Sequence, residues 1–142
     1  MGGSIESTSM DQVCEFLRQE WTALDRERWG DEQVQWSREN HILRAVVDGE
    51  TAAVAKYYIK GGVAHLSEII VGRAWRNRGI GGQLMARFEE MAFDAGCHKL
   101  SLRTIQDSPA VCFYRRLGYE LEGKLVNHYH GLTFLQFFKF LK

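Results

Sequence analysis

"VGRAWRNRGIGGQL", Val71 to Leu84, decides how this chain is read. Three arginines and a cluster of glycines separate an apolar, β-rich run from a run with helical spacing. A strand that turns straight into a helix exposes the helix's first backbone N–H groups, and these, with the helix dipole, favour an anion. Gly79, Gly81 and Gly82 remove the Cβ atoms that would hold a bulky anion away from the backbone. Arg73, Arg76 and Arg78 add guanidinium groups, which suit phosphate oxygens. The junction is suited to a phosphate or diphosphate. The plainer alternative is a glycine turn with solvated arginines.

Two familiar phosphate loops do not fit. No Gly-Lys-Ser/Thr follows, so this is not a P-loop. A GxGxxG dinucleotide fingerprint would need glycine at position 84, which holds Leu84, and would follow a βαβ opening. Here the preceding segment, "HILRAVVDGETAAVAKYYIKGGVAHLSEIIVG", is broken at Asp48-Gly49 and Gly61-Gly62, both hairpin signals. It predicts three antiparallel strands over about residues 41–47, 51–60 and 63–71.

Working outward, Ile80 to Ala95 places Leu84, Phe88, Met91, Ala92 and Ala95 on one helical face, with Gly96 as the stop. "CHKLSLRTI" predicts a buried strand, and Ser108 to Leu117 a helix opening at Ser-Pro. "YELEGKLVNHYH" and "LTFLQFFKFL" predict a closing hairpin around Gly131, whose last strand is apolar on both faces and hence central. At the other end, Ser9 and Gln12 have capping-box spacing, and Val13, Phe16, Leu17, Trp21 and Leu24 mark an amphipathic first helix. A second short helix is expected in "DRERWGDEQVQW". The order α-α-β-β-β-α-β-α-β-β is an α/β layout with one central sheet.

The 142 residues suit one domain, and no linker or repeat divides them. A net charge of zero argues against nucleic acid and anionic membrane as partners, and no apolar run is long enough to span a bilayer. Three cysteines, Cys14, Cys97 and Cys112, without CxxC or zinc-like spacing, point to reduced, mostly buried thiols, a cytoplasmic setting and no metal.

Arg76-Asn77-Arg78-Gly79-Ile80-Gly81 matches Q/R-x-x-G-x-G/A, and "DSPAVCFYRRLGYE" is similar to N-x-x-A-x-x-(L/F)-Y-x-x-x-G-F, with Ala110, Phe113, Tyr114, Gly118 and Tyr119 in register. In both segments the chain resembles the GNAT family of N-acetyltransferases, closely over about residues 41–142 and only in layout before them. Asp107 stands where that family's second motif has asparagine. The resemblance implies a mixed, mostly antiparallel sheet of about six to seven strands flanked by helices on both faces, as a single domain over residues 1–142. Its first strand would fall in "GGSIES".

The resemblance also implies acetyl-CoA as co-substrate and direct transfer to a primary amine in a ternary complex. The diphosphate would rest on Arg76, Asn77, Arg78, Gly79, Ile80, Gly81 and Gly82, and the pantetheine arm along Ile69, Ile70 and Val71, with Asp107, Ala110 and Phe113 beside it. The Val71 N–H is the expected oxyanion donor. Tyr114 takes the family's general-acid position, and Glu68 the carboxylate position for a base made stronger by burial. His65, His128 and His130 are rival bases, and Trp29 and Trp36 candidate walls of the acceptor pocket. A domain that binds acyl-CoA without catalysis, and a transferase of longer acyl groups, are the alternatives. A homodimer rests on the resemblance alone.

Overall fold

The computed structural model describes residues 2–30, 34 and 36–141, in two compact units, residues 1–35 and 36–142. The first unit is helix α1 (Met10–Trp29), in which no residue is buried. Of its apolar stripe, Phe16 and Trp21 are exposed and Val13, Leu17 and Leu24 half-buried. The expected capping box does not form. Ser9 sits at the N-cap in extended conformation, but its hydroxyl makes no capping bond: the Gln12 N–H donates to the Ser9 carbonyl (3.2 Å), and the Gln12 side chain, the other half of the box, accepts from the Thr8 hydroxyl. Gly2 to Ser9 form no strand. The helix absorbs the first part of "DRERWGDEQVQW"; residues 31–33 and 35, where the second helix was expected, lie outside the described residues.

The second unit holds a mixed sheet of six strands: β1 (Glu39–Val47), β2 (Glu50–Lys60), β3 (Val63–Val71), β4 (Lys99–Ile105), β5 (Glu120–Leu125) and β6 (Phe134–Phe140). Their spatial order is β1-β2-β3-β4-β6-β5. All neighbours are antiparallel except β3 and β4. The two tight hairpins follow from backbone chemistry: Asp48 and Gly49 (φ 51° and 79°), then Gly61 and Gly62 (58° and 80°), all take the positive φ that a two-residue hairpin requires. Strand β6 is interior, as its apolar faces imply.

Helices α2 (Ile80–Asp94) and α3 (Ala110–Arg116) cover one face. Ile80, Leu84, Met85, Phe88 and Ala92 form the buried stripe of α2, and Phe88, fully buried, meets Tyr57 of β2 edge-on at 5.0 Å. Burial of a phenylalanine side chain contributes about 2–3 kcal/mol. Helix α2 stops where Gly96 takes φ 83° and its N–H bonds the Phe93 carbonyl. At the start of α3 the Ser108 hydroxyl accepts from the Ala110 N–H (3.1 Å). Cys97 is the one buried cysteine; Cys14 and Cys112, expected to be mostly buried, are exposed.

One polar cluster ties α2 to the rest. The Glu89 carboxylate accepts from the Tyr119 hydroxyl (2.9 Å) and from the Lys139 ammonium (3.0 Å), which also donates to the Leu117 carbonyl (2.9 Å). Glu89→Ala leaves the Tyr119 hydroxyl without its acceptor and the Lys139 ammonium with the Leu117 carbonyl alone, a loss of about 1–3 kcal/mol. Urea unfolding of the variant should show a lower midpoint at unchanged slope.

Candidate active site

Strands β3 and β4 pair only from Val63 with Lys99 to Leu66 with Leu102. Beyond that point β3 follows β2 as far as Val71, and β4 follows β6 as far as Ile105. Each strand stays with its antiparallel partner, so the inner edges separate into a wedge. An extra residue in β3 marks the start: Leu66 pairs with Tyr57 and Glu68 with Lys56, leaving Ser67 as a bulge. The bulge reverses the alternation. Ala64 and Leu66 point to the α2 and α3 side before it, Ile69 and Val71 after it.

A cleft of about 600 Å³ opens on that side. Ile69 and Val71 form its β3 wall; Arg76, Asn77, Gly79, Ile80, Gly81 and Gly82 its strand-to-helix end; Ala110, Phe113, Tyr114 and Arg116 its α3 wall. Gly79 caps α2 in left-handed conformation (φ 80°, ψ 6°), and Asn77 is also left-handed (φ 63°). The first bond of the helix runs from the Gln83 N–H to the Gly79 carbonyl (3.1 Å), and among the described residues the amides of Ile80, Gly81 and Gly82 have no acceptor. A Cβ on Gly81 would already sit 3.6 Å from both Phe113 and Val71, so any longer side chain there would fill the cleft.

Of the three junction arginines, Arg76 alone lines the cleft, and its Nε donates to the Val71 carbonyl (3.0 Å). Arg73 lies in the short 3-10 turn Arg73–Trp75, and Arg78 is exposed outside the lining. The second lining cation, Arg116, was missed by the sequence reading. It follows Phe113 by three residues, hence on the same helical face, and that spacing was the available signal.

Tyr114 is 5% exposed, packed against Phe113, Tyr119 and Phe137 with ring separations of 5.3, 6.0 and 6.5 Å. Burial pushes its phenol above the ordinary value of 10.0, so it holds its proton. The other expected residues stand apart. Ile70 is exposed, and Asp107 lies in the exposed turn before α3. Glu68 is exposed too, paired with Lys56 across the strand at 3.6 Å, so the buried carboxylate expected there does not exist. The bulge at Ser67 sets its direction.

On the opposite face the wedge borders a smaller cleft of about 290 Å³, with Arg38, Tyr58, His65, Ser67 and Arg103 in its walls. His65 Nδ1 lies 3.0 Å from the Ser101 hydroxyl. Burial first, then the charges of Arg103 and Arg38, push its pKa below 6.5. His128 packs against Tyr129 and Phe134, the latter two lining this cleft, while His130 is exposed. Trp36 lies near Gly61 and Trp29 ends α1; neither lines either cleft. Among the described residues no group of histidine, cysteine and carboxylate side chains could hold a metal, and no helix is long and apolar enough to cross a membrane.

The sequence profile of the Acetyltransferase (GNAT) family matches residues 10–119. A curated relative from Oryza sativa subsp. japonica, "Probable glucosamine 6-phosphate N-acetyltransferase 2", is 32% identical over 72 residues, 49% of this chain and 42% of that protein. The matched stretch thus spans less than half of the relative's length. An acetyltransferase structure from Bacillus cereus superposes with a TM-score of 0.76 at 23% identity, covering 98% of each chain. Another, from Bacillus anthracis in complex with acetyl coenzyme A, gives 0.68 at 18% identity over 73% of this chain and 64% of that one.

The lowered His65 pKa makes a stability prediction. The unfolded chain binds the proton more readily, so the contribution of neutral His65 is present above its unfolded pKa of about 6.5 and is lost as pH falls below it. Between about pH 7 and pH 5, wild-type unfolding free energy should fall more steeply than that of His65→Gln. Parallel urea titrations at the two pH values measure the difference.

Proposed function

From a chain that belongs to the GNAT acetyltransferase family, we propose an enzyme that transfers the acetyl group of acetyl-CoA directly to a primary amine in a ternary complex. The observation that carries this reading is the wedge between β3 and β4, with free amides at its strand-to-helix end and the Tyr114 phenol in its wall. The residues present suit the donor. Free N–H groups at a helix start accept a diphosphate, and glycine at 79, 81 and 82 leaves the approach open. The unpaired edge of β3 beside Ile69 and Val71 offers backbone groups to an amide-bearing arm.

Acetyl-CoA, when bound, supplies the activated acyl carbon as a thioester. The amine nitrogen forms the new bond to that carbon while the carbon–sulfur bond breaks. The Val71 N–H serves as oxyanion donor, and a preorganised donor of this kind lowers a barrier by about 3–4 kcal/mol. Tyr114, kept protonated by burial, gives its proton to the departing sulfur. Glu68, beside the wedge but solvent-exposed, takes the amine's proton through water. Arg76 and Arg116 complement the phosphates from opposite walls. Three free cysteines suit a reducing cytoplasm. The Oryza relative's name raises amino-sugar phosphates as a first acceptor class to try.

Calorimetric titration with acetyl-CoA, and in parallel with pantetheine lacking the diphosphate, tests the donor. Acetyl-CoA should bind and pantetheine should bind far more weakly, while Gly81→Glu should lose binding yet melt like the wild type. Equal affinity for both ligands, or binding retained by the variant, would refute the cradle.

Tyr114→Phe keeps the packing and removes the proton. Steady-state turnover should drop about a hundredfold with the KM for acetyl-CoA little changed. Unchanged turnover would remove Tyr114 from the chemistry.

A further inference from the structure

The cleft on the face opposite α2 and α3 has a charge pattern that the donor reading leaves unused. Arg38 and Arg103 both line it, and among the described residues no carboxylate does. Among the described residues neither guanidinium has a carboxylate partner in an ion pair. In a chain of zero net charge, two cations beside one small cavity are a local arrangement and not a bulk excess.

Both side chains are also held in place. The Arg38 guanidinium stacks 3.7 Å over the Tyr58 ring, and its Nε donates to the Asn40 side-chain oxygen (3.2 Å). The Arg103 Nε donates to the Gln136 side-chain oxygen (2.9 Å). In each case a neutral acceptor takes the inner nitrogen, leaving the two terminal nitrogens to fork around an anion with two oxygens. Cross-strand registry brings the set together. Tyr58 opposes His65, His65 opposes Ser101, and Arg103 opposes Gln136, all on one face. The combined field of the two arginines is felt at His65, where both disfavour the imidazolium.

The position is as informative as the charge. Leu66 is the last β3 residue paired with β4 and Ser67 the first beyond it, and both line this cleft, while Ile69 and Val71 line the donor cleft on the other face. The two cavities therefore border one gap from opposite sides. A volume of about 290 Å³ suits a small charged head and a few carbons.

We propose that the acceptor is an amine carrying an anionic group, phosphate or carboxylate, which Arg38 and Arg103 grip across the wedge from the donor. This rests on the acetyltransferase reading for the identity of the reaction, but the anion site itself can be observed without turnover.

Paired amines that differ only in the anion give the kinetic test: glucosamine 6-phosphate against glucosamine, and L-phenylalanine against L-phenylalaninamide. With acetyl-CoA as donor, at least one charged member should exceed its uncharged twin in kcat/KM by about tenfold or more, and which pair responds tells phosphate from carboxylate. Arg38→Gln and Arg103→Gln should each pull that ratio toward one while acetyl-CoA affinity stays near wild type. Uncharged twins acetylated equally fast, or a ratio that survives both substitutions, would overturn the proposal. If no amine of the panel reacts, binding decides. Inorganic phosphate titrated into the protein should shift the His65 ring resonances saturably, and the Arg38→Gln/Arg103→Gln double variant should lose that shift. No shift in the wild type means no anion site. Failure of acetyl-CoA to bind, with the phosphate shift intact, would instead sink the acetyltransferase reading and leave the anion site standing.

Discussion

Two strands compete for their neighbours, and the outcome shapes everything else. β3 is held along its length by β2, and β4 by β6, while the parallel contact between β3 and β4 lasts only from Val63 to Leu66 on the β3 side. Antiparallel ladders are slightly the more stable per residue, so when a twisted sheet has to open, the parallel seam gives way first. Ser67 adds a bulge where the seam ends, and bulges increase local twist. The separation leaves backbone groups of β3 unpaired in the middle of a sheet. Buried backbone polar groups need partners, so such a defect is costly unless something else binds there.

The covered face turns that defect into a cleft with firm walls. Helix α2 is anchored at its start by the left-handed Gly79, along its length by Phe88 on Tyr57, and near its middle by Glu89 with Tyr119 and Lys139. Tyr119 also packs edge-on with Tyr114. The same cluster that stabilises the helix therefore fixes the aromatic wall in which the Tyr114 phenol sits.

Legibility in the sequence followed the range of the physics involved. Strand boundaries of the two hairpins, the α2 stop at Gly96 and the glycine junction were readable because glycine, Asp48-Gly49 and helical periodicity act within a few residues. Ile69, Val71, Arg76 and Tyr114 were placed by motif, and all four line the large cleft. The burial expected of Glu68 is not found, because a single-residue bulge decides which way β3 side chains point and alternating patterns carry no sign of it. The capping box at Ser9 is absent for a local reason, since the Gln12 N–H goes to the Ser9 carbonyl and the Gln12 side chain to Thr8. Arg38 and Arg103 were invisible as a pair because they are 65 residues apart by number, 103 less 38, and only the order of the strands brings them together.

The wedge is built from two kinds of material, and they respond differently to mutation. On the junction side the available donors are main-chain amides, which nearly every substitution elsewhere leaves intact but which tolerate no bulk at Gly81. On the opposite side the polar groups are tips of long side chains, Arg38 and Arg103, each replaceable by a single nucleotide change without disturbing the ladder beneath. Substitution can therefore remodel the side-chain face one residue at a time, while the free amides of the backbone face stay as the fold sets them.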